Sequence, residues 1–175
     1  MASIISEIAA RRSIRKYTDE KIPEGFKKEI IAAGLLGASS RNIRPIELIG
    51  VEDKELLEKL SHSRQIGSPQ VAGADLCIVV AADESKSDAW IEDAVIALDN
   101  MHLAASALGV GSCWIQVRNR MVADNYTTEE YIRELLGIPG TFRVEGMMSF
   151  GMPAETKEPY DVDKADFGKY HKNKF

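Results

Sequence analysis

"LGVGSCW", residues 108–114, contains a Gly-x-Gly pair, and the elements on either side of it decide the fold class. A dinucleotide-binding turn needs a strand, then the glycines, then a helix whose N-terminus faces the pyrophosphate. Here the order is reversed. Upstream, Ile91, Ala94, Leu98, Met101, Ala105 and Leu108 recur at helical spacing from Trp90 onward. Val95 and His102 widen that stripe, so the helix is expected to be covered on more than one side, with His102 as a core residue. Downstream, "SCWIQV" at 112–117 reads as a strand. The glycines therefore end a helix, and a Rossmann turn is excluded.

The pattern extends in both directions. "LCIVVAA" at 76–82 is a buried strand, and "IELIGV" at 46–51 is a second strand opened by Pro45. Asp53 caps the helix "KELLEKLSH", and Thr127 with Glu130 forms a capping box for "TEEYIRELL", which Gly137 and Pro139 end. "FRVEGMMSFG" at 142–151 is the last strand, followed beyond Pro153 by a polar tail. At the other end, a short helix spans Ser3 to Arg11, and a longer one runs from Pro23 to about Ala38. Strands and helices alternate irregularly. One sheet in a single domain over 1–175, α+β or α/β, is expected.

Composition narrows the function. The 175 residues carry a net charge of −5, which argues against a general nucleic-acid binder. No apolar run approaches a membrane span, and "MASIISEIAARR" has the wrong charge order for a secretory leader. Cys77 and Cys113, both in apolar runs, are expected to be reduced, in a cytoplasmic protein. His62, His102 and His171 lack ligand spacing, so no metal site is expected. Asp83, Glu84, Asp88, Glu92 and Asp93 read as a solvated loop that also complements the positive end of the long helix. No nucleophile elbow is present, and no catalytic side chain is singled out. If the protein is an enzyme, a cofactor carries the chemistry.

Two segments hold candidate binding groups. "RRSIRKY" at 11–17 gathers Arg11, Arg12, Arg15 and Lys16. Guanidinium forks match phosphate oxygens and Ser13 adds a compact donor, although a solvated basic turn would read the same way. "ASSRNIRP" at 38–45 offers Ser39, Ser40 and Asn42 on a loop able to approach a flat heterocycle, or it simply ends a helix.

Taken together, and with "LAASALGVGSCWIQ" at 103–116 and "FGMPAE" at 150–155, these segments resemble the nitroreductase family of FMN-dependent NAD(P)H oxidoreductases. The resemblance spans nearly the whole chain in order. It implies an α+β fold with a mostly antiparallel sheet flanked by helices, in an intertwined homodimer with flavin sites at the interface. By resemblance, Arg11, Arg12, Ser13 and Arg15 hold the FMN phosphate and ribityl chain, and Ser39, Ser40 and Asn42 reach the flavin from the partner subunit. Backbone along Trp114, Ile115, Gln116 and Val117 faces the ring, with an amide near Gln116 donating to flavin N5. Arg44 stands where the family has Gln, near the pyrimidine edge of the ring or facing solvent. The chain departs from the family at two further places: after the last strand it offers Lys157 and Lys164 but no arginine for the phosphate, and before the strand at 76–82 it has Gln70 as the one polar substitute for the family's Asn and Lys. The implied activity is ping-pong transfer from NADH or NADPH to an organic acceptor of nitroaromatic or quinone type. A dehalogenase, a flavin-degrading enzyme, or a flavin store or sensor without turnover are the alternatives.

Overall fold

The computed structural model describes residues 3–175. Its centre is a four-stranded, wholly antiparallel sheet in the order β1-β2-β6-β3, formed by Ile46–Val51 (β1), Leu76–Asp83 (β2), Gly111–Gln116 (β3) and Phe142–Gly151 (β6). A hairpin of Met121–Ala123 (β4) and Tyr126–Thr127 (β5) stands apart from it. The helices are Ile4–Ala10 (α1), Glu24–Leu35 (α2), Lys54–Ser61 (α3), Trp90–Ala107 (α4) and Thr128–Leu136 (α5). The fold is therefore α+β, with a central antiparallel sheet flanked by helices.

β2 is buried along its whole length, which explains why its sequence is an unbroken apolar run rather than an alternation. Leu76, Ile78 and Val80 point to one face, where they meet Ala94, Leu98 and Met101 of α4 and Ile30 of α2. Cys77, Val79 and Ala81 point to the other, against Leu57 and Leu60 of α3 and Ile132 of α5. The long helix thus packs deeply against the sheet, with His102 buried as its stripe implies, whereas Val95, expected to widen that stripe, lies on the exposed face with Glu92 and Asp99.

Local chemistry sets the element ends. The Asp53 carboxylate accepts from the Leu56 amide at 2.9 Å, and the Thr127–Glu130 capping box forms in full. α2 stops at Leu35, short of the expected Ala38: Leu36 makes the last i→i−4 bond, to Ala32, and the Gly37 amide tightens onto the Gly34 carbonyl at 3.1 Å. α4 ends in a Schellman motif: the Val110 amide reaches the Ala105 carbonyl at 2.8 Å and the Gly109 amide reaches Ser106 at 3.0 Å. Gly109 sits there at φ +72°, a conformation that favours glycine. Both cysteines are free and buried. Among the described residues, no helix is long and apolar enough to cross a membrane.

Candidate functional site

α1 ends at Ala10, and Arg11 leaves it in an extended conformation. The segment that follows lies against the start of β3. Ser13 pairs with Ser112 in a parallel bridge, and the Ile14 amide donates to the Ser112 carbonyl at 2.9 Å. Gly111 permits this approach, since a Cβ there would stand 2.9 Å from Ile14 Cγ2. The second glycine of "LGVGSCW" therefore admits the cationic segment, while the first closes the helix.

This pairing fixes the direction of the β3 backbone. The Ser112 carbonyl points to the free edge, so strand alternation turns the N–H and C=O of Trp114 and Gln116 the same way. Ile115 presents both of its groups to β6, while the Val117 amide donates to the Glu145 carbonyl at 3.2 Å and the Val117 carbonyl accepts from the Arg120 amide at 3.1 Å. Their side chains are buried on the α3–α5 side. Of the four residues expected to offer backbone to a ligand, Trp114 and Gln116 thus have their polar groups turned to the free edge, while those of Ile115 and the Val117 amide are taken up by β6.

The cations converge on the Ser13–Ser112 junction. Arg11 Nη1 lies 3.0 Å from His102 Nε2, and His102 Nδ1 lies 2.6 Å from Ser112 Oγ. A guanidinium only donates, so Nε2 accepts and Nδ1 carries the proton that reaches Ser112. Burial, reinforced by the Arg11 charge, pushes the imidazole down to about 4, so it is neutral at pH 7. His102 is thus buried as expected, yet polar in its role. Arg12 covers the Tyr160 ring at 4.4 Å and donates to the Glu158 carbonyl. Lys157 donates to the Ser13 carbonyl at 2.6 Å, and Glu155 accepts from the Arg15 amide at 2.6 Å. That last bond holds the Glu155 carboxyl below its ordinary range. The Arg15 guanidinium has no ion-pair partner among the described residues. Arg12, Ser112, Lys157 and Glu155 line a cleft of about 150 Å³ at this junction. Lys164 instead pairs with Asp161 at 3.2 Å.

The Ser39–Arg44 loop is built separately. Arg41, Asn42 and Arg44 all adopt positive φ (50°, 56° and 53°), a strained geometry for arginine. It is held by the Ser40 amide on Asp93 at 2.8 Å, Arg41 on Asp88 at 2.6 Å and the Arg44 amide on Ser39 Oγ at 3.0 Å. The Arg44 side chain is exposed and turns back to Asn42 Oδ1 at 2.9 Å. Asp93 is in the first turn of α4 whereas His102 is nine residues further on, about 14 Å along the axis. Within one chain, the loop and the cation cluster do not meet.

Beneath β3, β6 carries a bulge: Val80 faces Gly146 and Ala81 faces Val144, leaving Glu145 unpaired between them. Its buried carboxylate accepts from Gln116 Nε2 at 2.9 Å and Arg118 Nε at 2.6 Å, and Gln116 Oε1 accepts from Trp114 Nε1 at 3.1 Å. These bonds fix the stretch whose amides face outward. Gln70 Nε2 is 3.7 Å from Cys113 Sγ, on the sheet rather than in a cleft. No group of metal-ligating side chains occurs among the described residues.

The profile of the nitroreductase family matches residues 8–65 and 58–152, which takes in the cation cluster, the Ser39–Arg44 loop and β3. The chain belongs to the nitroreductase family. A candidate NADH dehydrogenase/NAD(P)H nitroreductase of Archaeoglobus fulgidus is 36% identical over 170 residues, covering 93% of this chain and 92% of that protein. The structure of an FMN-dependent nitroreductase from Clostridium difficile is 45% identical and superposes with a TM-score of 0.95, over 98% of this chain and 99% of the other. A candidate NADH dehydrogenase/NAD(P)H nitroreductase from Parabacteroides distasonis superposes with a TM-score of 0.89 at 28% identity, over 98% of both chains. Ser112 and Glu145 are polar residues of this region that the sequence did not single out, and His102 was expected there only as a core residue. Helical spacing made His102 visible but not its partner Arg11, which is 91 positions away.

Proposed function

We propose that this protein is a homodimeric FMN-dependent oxidoreductase that moves a hydride from NADH or NADPH to an organic acceptor in two alternating half-reactions. The observation that carries the reading is the junction of Ser13 with Ser112. It sets arginines at one end of a sheet edge whose next outward amides belong to Trp114 and Gln116. The residues present fit the cofactor: a terminal phosphate suits Arg11, Arg15, Ser13 and Lys157, and the edge amides suit the acceptor atoms of a flat heterocycle. FMN bound there would supply hydride acceptance and donation at N5. The chain's own part is to orient the ring through the Gln116 amide and to keep that amide still through Glu145. Arg11 holds charge opposite the phosphate, with its position set by neutral His102.

The separation along α4 supports the dimer. Ser39, Ser40, Asn42 and Arg44 lie too far from their own cation cluster, so they serve the site of a partner subunit. Apolar side chains left open on α1 (Ile4, Ile5, Ile8), at the end of α2 (Leu35, Leu36) and in the tail (Tyr160, Phe167, Tyr170) give such a partner a surface to cover. The test is anaerobic addition of NADH and of NADPH to purified protein, with chromatography of the flavin released on denaturation. Bleaching of bound FMN, reversed by a quinone or nitroaromatic, is expected. FAD, or no affinity for added FMN, rejects the reading.

A further inference from the structure

Past Gln116, the β3 edge runs into a second cationic group that flavin binding leaves unused. Asn119 adopts φ 58° and the Arg120 amide bonds the Val117 carbonyl at 3.1 Å, turning the chain into β4. The loop after α3 is pinned opposite, by the Gln65 amide on the Met121 carbonyl at 3.0 Å. Arg64 and Arg120 thereby share a cleft of about 380 Å³, completed by Gln65, Ile66, Asn119 and Met121.

The charges in this cleft are unbalanced. Arg118 and Arg143 are half-buried like Arg64, and each bonds a carboxylate, Glu145 at 2.6 Å and Glu129 at 2.6 Å. Arg64 has no carboxylate or other acceptor among the described residues, and Arg120 Nη1 bonds its neighbour's carbonyl at 3.0 Å. Burial and then the charge of Arg120 lower the proton affinity of the Arg64 guanidinium, the direction expected for two like charges sharing a cleft without an anion. Beside them, Ile66 is 84% exposed and Met121 37% exposed, an apolar rim for an organic body.

We propose that Arg64 and Arg120 form an oxyanion subsite for the second substrate, taking a carboxylate or phosphate at the end of the molecule remote from the reacting centre. Guanidinium forks bind both oxyanions in the same manner. Gln116 and Arg120 are four residues apart, at most about 14 Å even if extended. The cleft therefore lies within the span of an elongated reagent whose reacting end is held over the Gln116 amide. The proposal rests on the FMN reading for the position of that reacting centre. Two sources share the chemistry: the carboxylate of an organic acceptor, and the phosphates of the nicotinamide donor.

The experiment titrates purified holoprotein by calorimetry with para-nitrobenzoate, with neutral para-nitrobenzyl alcohol and with NADP+, comparing wild type with R64A/R120A. The double variant should lose at least about tenfold in affinity for one or both anions, from the worth of charge-assisted hydrogen bonds, and little for the alcohol. Weakening confined to para-nitrobenzoate assigns the cleft to the acceptor, and weakening confined to NADP+ assigns it to the donor. Unchanged anion affinities, equal losses for the alcohol, or no anion binding by wild type overturn the proposal. Arg120 is exposed, so R120A alone serves if the double variant does not fold, with a loss of about threefold or more expected. Flavin content is read separately. Protein without FMN would reject the functional reading while the anion titration still reports on the cleft.

Discussion

Acidification should weaken this protein through His102, by an amount that its surroundings set. The imidazole is buried, receives a hydrogen bond from Arg11 and gives one to Ser112, and falls from 6.5 to about 4. Between those values the unfolded chain binds a proton that the folded chain refuses, so stability declines as pH falls through that window. At about 1.36 kcal/mol per unit, the full cost is roughly 3 kcal/mol, complete below pH 4 and absent above pH 6.5. Carboxylates held low in the fold, among them Asp75 and Glu129, lose stability in the same direction at lower pH. A variant without the titrating group separates the contributions. Urea unfolding of wild type and His102→Asn at intervals from pH 7.5 to 4 should give curves whose difference narrows by about 3 kcal/mol as pH falls. Nitrogen-15 NMR should show the Nδ1–H tautomer and a midpoint well below 6.5. Added FMN should raise that midpoint, because a phosphate beside Arg11 offsets the repulsion. Parallel stability curves, a midpoint near 6.5 or an Nε2–H tautomer would refute the reasoning.

Replacing Arg11 and Arg15 with Ala should weaken FMN binding by about two to four orders of magnitude while riboflavin, lacking the phosphate, changes little. Flavin titration of both proteins checks this, and equal loss for both ligands in a folded variant would count against phosphate recognition. Gly151→Ala should destabilise the protein by roughly 1–3 kcal/mol in urea unfolding, since the new Cβ would lie 2.6 Å from Tyr17 Cγ and push the cationic segment off β6. Light scattering should give a dimer. Mixed dimers that pair an R11A/R15A subunit with an N42A subunit should keep one fully intact FMN site of the two, as a loop acting in trans requires.

Where burial and capping are local, the fold could be read directly. The apolar run of β2, the stripe of α4 and the Thr127–Glu130 box each declare themselves within a few residues. The cation cluster was legible because like charges crowd within seven positions. Glu145 was not, because its role depends on a bulge created by the register of β6 against β2, which no single strand encodes. The β4–β5 hairpin escaped notice too, being only a few residues long with Asn125 at φ 60° in its turn. The stretch from Glu155 to Tyr160 reads in sequence as part of a polar tail. Its place comes from individual bonds to residues near the other end of the chain: Lys157 to Ser13, and the Tyr160 amide to Ala9 at 2.9 Å.

The position of β6 between β2 and β3 also has a bearing on synthesis. As the chain emerges from the ribosome, β1 and β2 can pair early, for they are adjacent in the sheet and separated only by α3 and a single 3-10 turn at Pro69–Val71. β3 has no such neighbour at that stage, because its in-sheet partner spans residues 142–151. The Ser13 segment, made more than a hundred residues earlier than β6, must therefore wait for it before it has a finished edge to lie against. Contacts this distant in sequence slow folding, since loop closure comes before the reward. The nascent protein thus leaves its most basic stretch without its full cover for most of its translation, since β3, β6 and the residues after β6 must all be in place to shelter it.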